Sequence, residues 1–465
     1  MSERRFFGTD GVRGRAGEAP MTGLFAFTLG VATAEHLRSE SDSVPTILVG
    51  TDTRRSSAML AAAVTAGLSS RGVDVIALGV TPTPGVAHLV VALGAAAGVV
   101  VSASHNPYDD NGLKLFGANG QKMTDAEELA IEAQIDRLDL ADATLGLPPR
   151  THEAIGDVVR YRYEEGHYFA HLLAHAPYLD GLRVGLDCAN GAASLVAPRV
   201  FKQIGARLDV IHAAPNGVNI NVSCGSTHPA AITARVRSAG LDVGIAFDGD
   251  ADRALMVDRH GRLVSGDHML AICAVVRGEK TVVATSMTNL GVERWLASKG
   301  IALERVQVGD RYVHERLIER GLKLGGEQSG HLLFLDRATT GDGVLTSLQV
   351  LSACRKSGVA LEAWMDQIPS YPQVIVNVPV PNGAKAAIVE LPAVAAALLE
   401  ARRQFGEEGR VVLRPSGTEP LVRVMVEGPD QAQVTRVGDE IARAVRDAAS
   451  PEREVAASPE REVAE

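Results

Sequence analysis

The sequence predicts an α/β protein whose first three quarters repeat one strand–helix order and whose last quarter is a smaller α+β domain. Three observations carry that expectation. Short β-rich runs alternate with helical patterns, the order restarts at Leu182–Asp187 and again at Thr281–Thr285, and the final quarter sets one helix before two strands joined by a loop. Alternating strands and helices imply parallel or mixed sheets with helical crossovers. A chain of 465 residues has room for about three or four domains of ordinary size.

Taken in order, Thr46–Gly50 reads as a buried strand. A helix follows over about Ser57–Arg71, with Met59, Leu60, Ala63, Val64 and Leu68 on one face and Gly72 to stop it. Val73–Leu78 and Gly98–Val101 are the next strands. Thr124 and Glu127 form a capping box opening a helix that carries Leu129, Ile131, Ile135 and Leu138. Strands recur at Leu182–Asp187, Ala206–His212, Val243–Phe247 and Thr281–Thr285. In the last quarter Gln373–Val380 is a strand, Ala384–Phe405 a helix, Val411–Leu413 and Leu421–Val426 strands, and Asp430–Arg446 a final helix. Proline-rich and polar joints, with the Asp258–Gly261 turn, divide the chain into domains over 1–154, 155–257, 258–370 and 371–449. Residues 450–465 repeat an octapeptide almost perfectly. Their five Glu and two Arg supply −3 of the net −10, as expected of a disordered, solvated tail.

Hydrophobic residues make up 46% and charged residues 22%, which excludes a mostly disordered chain, a collagen and a disulfide-stapled mini-protein. The acidic balance argues against nucleic acid or an anionic membrane as partner. Cys188, Cys224, Cys273 and Cys354 lie far apart without a C-x-x-C pair. They read as small buried hydrophobes and support neither zinc nor a disulfide framework. Arg4-Arg5 lacks the apolar stretch of an export signal, and the longest apolar run, Leu89–Val101, is too short to span a bilayer. The cytoplasm is the expected compartment.

Four loops carry chemistry. Gly98–Val101 runs into Ser102-Ala103-Ser104-His105-Asn106-Pro107, where ligands sit in α/β sheets, with His105 and Lys114 near a serine that could act as nucleophile. Asp248, Asp250 and Asp252 follow an apolar strand at i, i+2 and i+4. Three such carboxylates repel one another unless a cation lies among them, and oxygen-only ligands select a hard ion such as Mg2+. A calcium EF-hand fits poorly, because Arg253 and Arg259 occupy its glycine and twelfth positions. Gly325–His331 sets Glu327 and Ser329 where they could bracket sugar hydroxyls, although alone it is an ordinary Gly-rich turn. Arg414, Ser416, Gly417 and Thr418 offer a guanidinium, two hydroxyls and a backbone nest suited to a phosphate monoester. Arg13, in a Gly-rich loop, and Arg311, near a strand end, read singly as solvated charges. His36, His88 and His171 lack ligand spacing. Neither a P-loop nor a G-x-G-x-x-G occurs. Together the four loops describe phosphoryl transfer on a sugar phosphate.

In order and spacing these four motifs resemble the α-D-phosphohexomutase superfamily. Phe7–Gly14, Val308–Val313 and Thr339–Gly343 are similar to its bacterial branch acting on glucosamine phosphates. The resemblance runs from about residue 4 to 447. It implies a four-domain architecture around a central cleft, three mixed α/β domains and a smaller C-terminal α+β one. It further implies that Ser104 is carried as phosphoserine and that Asp248, Asp250 and Asp252 hold one Mg2+ with a phosphoserine oxygen. Lys114 and His331 match proton-transfer positions, and Arg13 and Arg253 lie beside the phosphoserine. Glu327 and Ser329, with Gly309, Asp310 and Arg311, match substrate-binding positions. Arg414, Ser416, Gly417 and Thr418 match the cradle for the phosphate not being transferred.

The implied reaction interconverts glucosamine 6-phosphate and glucosamine 1-phosphate through glucosamine 1,6-bisphosphate, with a homodimer as the oligomeric option. A mutase of glucose or mannose phosphates shares the mechanism. An aspartyl-phosphate phosphatase using Asp248 and a sugar-phosphate-binding protein without turnover are the readings from other classes. Two departures stand out. Ala251 replaces the glycine common in the metal loop, and Gln328 stands where glucose and mannose mutases more often carry Glu or Met.

Overall fold

The computed structural model describes residues 4–8, 10–40, 43–142, 144–161, 166–415 and 420–449; the expected tail over 450–465 lies outside them. The chain divides into two compact units, one formed by Met1–Met287 with Gly300–Gln367, the other by Thr288–Lys299 with the chain from Ile368 onward.

Three sheets occupy the first unit. The first contains β1 (Val12–Arg15), β2 (Thr46–Thr51), β3 (Asp74–Val80), β4 (Ala97–Val101), β5 (Asp110–Gly117) and β6 (Val158–Arg160), in the order β1-β5-β4-β2-β3-β6. The second contains β7 (Arg183–Asp187), β8 (Arg207–Ile211), β9 (Val243–Phe247), β10 (Ala254–Asp258) and β11 (Leu263–Val264), in the order β11-β10-β9-β7-β8. The third contains β12 (Thr281–Thr285), β13 (Ala302–Val306), β14 (Leu324–Gly326) and β15 (Leu332–Phe334), in the order β13-β12-β14-β15.

One four-strand arrangement recurs in all three: β3-β2-β4-β5, β8-β7-β9-β10 and β13-β12-β14-β15. In each, the first three strands run parallel and the fourth returns antiparallel to the third. The loop between third and fourth strands therefore leaves the carboxyl end of a parallel strand, where α/β sheets place ligands. β4 and β9 are buried along their whole length, which explains why they read as unbroken apolar runs. The apolar run Leu89–Val101 is split between the helix Thr83–Ala92 and β4, and no helix among the described residues is long and apolar enough to cross a membrane.

The second unit has an antiparallel sheet of β16 (Gln373–Pro379), β17 (Arg410–Pro415) and β18 (Leu421–Glu427), ordered β16-β18-β17. Val378, Phe405, Val424, Val437 and Ile441 belong to its core. The single helix expected over Ala384–Phe405 is two, Lys385–Glu390 and Pro392–Phe405. Proline disfavours helical geometry in the residue before it, and Leu391 is accordingly extended at φ −62° and ψ 139°. The helix Leu290–Ser298 belongs to this unit: Leu290 N–H donates to Glu427 Oε1 at 2.9 Å, and Asn289 Nδ2 to the Tyr371 carbonyl at 3.0 Å.

Strand pairing crosses two divisions drawn from the sequence. β6 pairs with β3 although it follows residue 154, and β11 pairs with β10 although it follows residue 257.

Candidate active site

The three equivalent loops are the serine loop after β4, the aspartate loop after β9 and the glutamate loop after β14. The first two meet. Ser104 is 1% exposed, and its Oγ–H donates to Asp248 Oδ2 at 2.6 Å. Its backbone lies in the left-handed region, at φ 52°, a conformation that must be held from outside.

The holding groups are distant in sequence. Ser104 N–H donates to Ser102 Oγ at 3.0 Å, and Ser102 donates to Asp52 Oδ2 at 2.7 Å. Asp52 pairs with Arg54 at 2.7 Å, both side chains fully buried. Arg54 Nη2 reaches the carbonyls of Ser104 and Asn106, each at 2.9 Å. Asn221 Nδ2, from the second domain, donates to the same carbonyls at 2.9 and 3.0 Å. Asp52, Arg54 and Asn221 gave no motif in the sequence; only the D-T-R run directly after β2 was a signal that could have drawn notice.

Gly249 lets the two loops close. A Cβ there would stand 2.5 Å from the Ser104 carbonyl oxygen, nearer than any real side chain stands. Around it, Asp248 Oδ1 accepts from Arg253 N–H, while Asp250 Oδ2 accepts from Thr83 Oγ1 at 2.6 Å and Lys114 Nζ at 2.9 Å. Asp250 Oδ1 and Asp252 Oδ1 are buried without a hydrogen-bond partner. Carboxylate oxygens of the three aspartates all lie within 4.8 Å of one another. Burial first, then the charges of Asp252 and Asp250, pushes Asp248 well above the usual carboxylate range. Unpartnered oxygens and mutual repulsion are the conditions a hard cation relieves, so this triad could hold a metal ion.

A chain of alternating charge continues from the triad. Lys114 also meets Asp10 at 3.1 Å, Lys122 bridges Asp10 at 2.5 Å and Asp310 at 2.6 Å, and His331 stands 3.7 Å from Asp252 and 3.8 Å from Asp310. Burial alone would lower Lys114; Asp10, Asp250 and Asp252 more than offset it and hold the amine charged. Burial would likewise lower His331, and Asp252 with Asp310 raises it. Arg13 pairs with Asp10 and lies 3.4 Å from the Ala103 carbonyl, and Arg253 lies 3.7 Å from Asp252. His105, 3.4 Å from Ser104 Oγ, is lowered to about 4 by burial and then by Arg253 and Arg13, so it is neutral at pH 7. Asp10, Lys114, Lys122, Asp310, Arg311 and His331 help line a cavity of about 390 Å³.

Several expected placements change. Arg13 is not in a loop: it lies on β1, next in the sheet to β5, which carries Lys114, because backbone pairing of Val12–Arg15 with Asp110–Leu113 orders both segments. Arg311 is in the first turn of the helix Asp310–Arg320 and is tied to Asp125 and Glu315. Gly309 N–H donates to Glu327 Oε1 at 3.1 Å, and Ser329 Oγ lies 3.4 Å from Glu327 Oε2, which joins two of the expected sugar-binding segments. Arg414 is on β17 of the second unit, and Ser416, Gly417 and Thr418 lie outside the described residues. Ala251, in the place of the common glycine, sits at φ 60°.

Comparison with known proteins matches this layout. Four models of the phosphoglucomutase/phosphomannomutase family align in order: alpha/beta/alpha domain I over residues 4–142, domain II over 167–261, domain III over 265–371 and the C-terminal domain over 375–444. The chain is 52% identical over 447 residues to a phosphoglucosamine mutase of Deinococcus radiodurans, covering 96% of this chain and 99% of that protein. It belongs to the phosphoglucomutase/phosphomannomutase family. Among solved structures, a family protein from Burkholderia thailandensis superposes with a TM-score of 0.77 at 23% identity, over 96% of this chain and 98% of that one. The N-acetylphosphoglucosamine mutase of Aspergillus fumigatus, in complex with GlcNAc-6P and magnesium, gives 0.67 at 17% identity, over 96% of each chain. The family's four-domain architecture is thus the architecture of this chain: three α/β/α domains and a C-terminal domain.

Proposed function

We propose that the chain is an isomerase interconverting glucosamine 6-phosphate and glucosamine 1-phosphate, by way of a phosphoserine at Ser104 and a 1,6-bisphosphate intermediate. The observation that carries this reading is the Ser104 hydroxyl donating to Asp248 at 2.6 Å, within an aspartate triad in which Asp250 and Asp252 each keep one unpartnered oxygen. Half of the residues are shared with a phosphoglucosamine mutase over nearly the whole of both chains, which supports the amino sugar over glucose or mannose.

Asp248, Asp250 and Asp252 would hold one Mg2+ with a phosphoserine oxygen; when bound, the ion offsets charge on the transferring group. The chain's own residues supply position. Arg54 and Asn221 fix the Ser104 backbone, so that its Oγ presents one direction to substrate. Arg13 and Arg253 flank the phosphoryl group. Lys114 and His331 sit where a sugar hydroxyl would exchange its proton. Glu327 and Ser329, with the Gly309–Arg311 segment, take the sugar hydroxyls. Arg414, Ser416, Gly417 and Thr418 take the phosphate that stays. In one half-reaction the Ser104 phosphoryl passes to O1 of the 6-phosphate. The bisphosphate then turns end for end, and its 6-phosphoryl returns to Ser104 Oγ.

The test is kcat/KM for glucosamine, glucose and mannose 6-phosphates with Mg2+ and a trace of each cognate 1,6-bisphosphate. A strong preference for glucosamine 6-phosphate is expected. Comparable rates on glucose or mannose would keep the mechanism and change the substrate. Ser104→Ala is expected to abolish turnover, and near wild-type turnover in that variant would sink the phosphoserine.

A further inference from the structure

Outside this site, the second sheet brings together a different set of donors. β7 and β8 are parallel neighbours that end in register at Asp187 and Ile211, so Asp187 and His212 leave the sheet side by side. Cys224, on the segment that returns to the same edge, completes a group whose carboxylate oxygen, imidazole nitrogen and sulfur all lie within 4.8 Å of one another. His212 Nδ1 stands 3.1 Å from Asp187 Oδ2 and is itself buried without a hydrogen-bond partner. We propose that Asp187, His212 and Cys224 form a second metal site, for a thiophilic divalent ion of the zinc class.

Donor chemistry selects the ion. Sulfur, nitrogen and one carboxylate suit Zn2+ or Co2+ and not Mg2+. At the usual bond lengths a tetrahedral site separates its donor atoms by roughly 3.3–3.7 Å; the imidazole nitrogen and carboxylate oxygen stand 3.1 Å apart, and the sulfur lies within 4.8 Å of both. A thiolate and a carboxylate also neutralise a dication, so the buried group would carry no net charge. Burial and then Asp187 push the Cys224 thiol up to about 12, so the free thiol is protonated and metal entry would release that proton. A cysteine nucleophile served by His212 and Asp187 is the other reading of such a trio. Cys224 and Asp187 are both 0% exposed, which leaves no approach for a substrate, whereas the His212 side chain is 32% exposed and gives an ion a way in.

The backbone around the group is unusual in the same direction. Five non-glycine residues adopt positive φ there: Ala189, Asn190, His212, Asn221 and Ser223. Asp187 fixes the turn by accepting from Ala189 N–H and Gly225 N–H, each at 3.0 Å. Strained turns of this kind persist where the surroundings over-determine them. They also couple to the first site: Ala192 N–H donates to the Gly249 carbonyl at 2.8 Å, and Asn221 holds the Ser104 carbonyl. An ion at Cys224 would therefore brace the two segments that support the serine and aspartate loops.

Cobalt tests this directly. The full chain, stripped by chelator under reducing conditions and kept in excess Mg2+, is titrated with Co2+. One ion per chain with a thiolate-to-cobalt charge-transfer band is expected. Cys224→Ser should lose the band, His212→Gln should bind at least tenfold more weakly, and Cys354→Ser and Asp250→Asn should keep both band and affinity. Absence of the band in the wild type overturns the site, as does its survival in Cys224→Ser. If Cys224→Ser does not fold, undiminished cobalt affinity in His212→Gln decides against it.

Discussion

Gly249 and Ala251 show how finely two neighbouring positions are constrained. Any Cβ at 249 meets the Ser104 carbonyl and Asn221 Nδ2, so Gly249→Ala must push the Ser104 backbone away from the aspartates. A displacement near 1 Å at a reacting group costs about 10²-fold; kcat is expected to fall on that order, with the fold intact by circular dichroism. Ala251 is the reverse case. It is buried at φ 60°, where a Cβ is strained, so Ala251→Gly should leave kcat unchanged and raise stability by about 0.5–1 kcal/mol. Chemical denaturation checks the second value, and a loss of stability would show that the loop conformation carries no strain. The residue scale also marks what the sequence discloses. Ser104 and the aspartates are legible because each loop is contiguous and follows an apolar strand. Arg54 and Asn221 are not, because their role lies in carbonyls some 50 and 117 positions away along the chain. Lys122, which joins Asp10 to Asp310, is equally silent for the same reason.

Among elements, the sequence reading of β2, β4, β9 and β12 agrees with the structure to within one residue, whereas it passes over β1 and β5, whose apolar pattern Gly and Asn interrupt, and the buried strands β10, β14 and β15, the last two of which are only three residues long. That omission is why Arg13 reads as a loop residue. The helix His167–Ala174 offers a pH test. His171 stacks on His88 with ring centroids 4.3 Å apart and meets His175 edge-on at 4.8 Å. Burial first, then His88, His175 and Arg337, lowers His171 to about 4; His88, which also faces His167, is lowered too, as is His175 despite the opposing charge of Asp336. A depressed histidine binds fewer protons folded than unfolded. The packing is therefore at full strength above the ordinary pKa of about 6.5 and weakens as pH falls toward 4. His171→Gln should shrink the drop in Tm between pH 7 and pH 5; an unchanged drop would place the acid sensitivity elsewhere.

For the whole molecule, the tandem octapeptide over 450–465 adds −3 to the charge and lies beyond the last described helix, Gln431–Ala449. Removing it is expected to leave kcat within twofold and Tm within about 1 °C, and a large loss of kcat would assign the segment a part in turnover. The recurring four-strand order bears on a different question. Because Ser104, the Asp248–Asp252 triad and Glu327 each occupy the same junction of the same scaffold, the strands do not encode which chemistry a loop performs. Selection can rewrite one of the three loops without disturbing the register of the sheet beneath it. With the roles proposed above, substrate choice and phosphoryl chemistry become separately heritable properties of one chain, written at corresponding addresses in different domains.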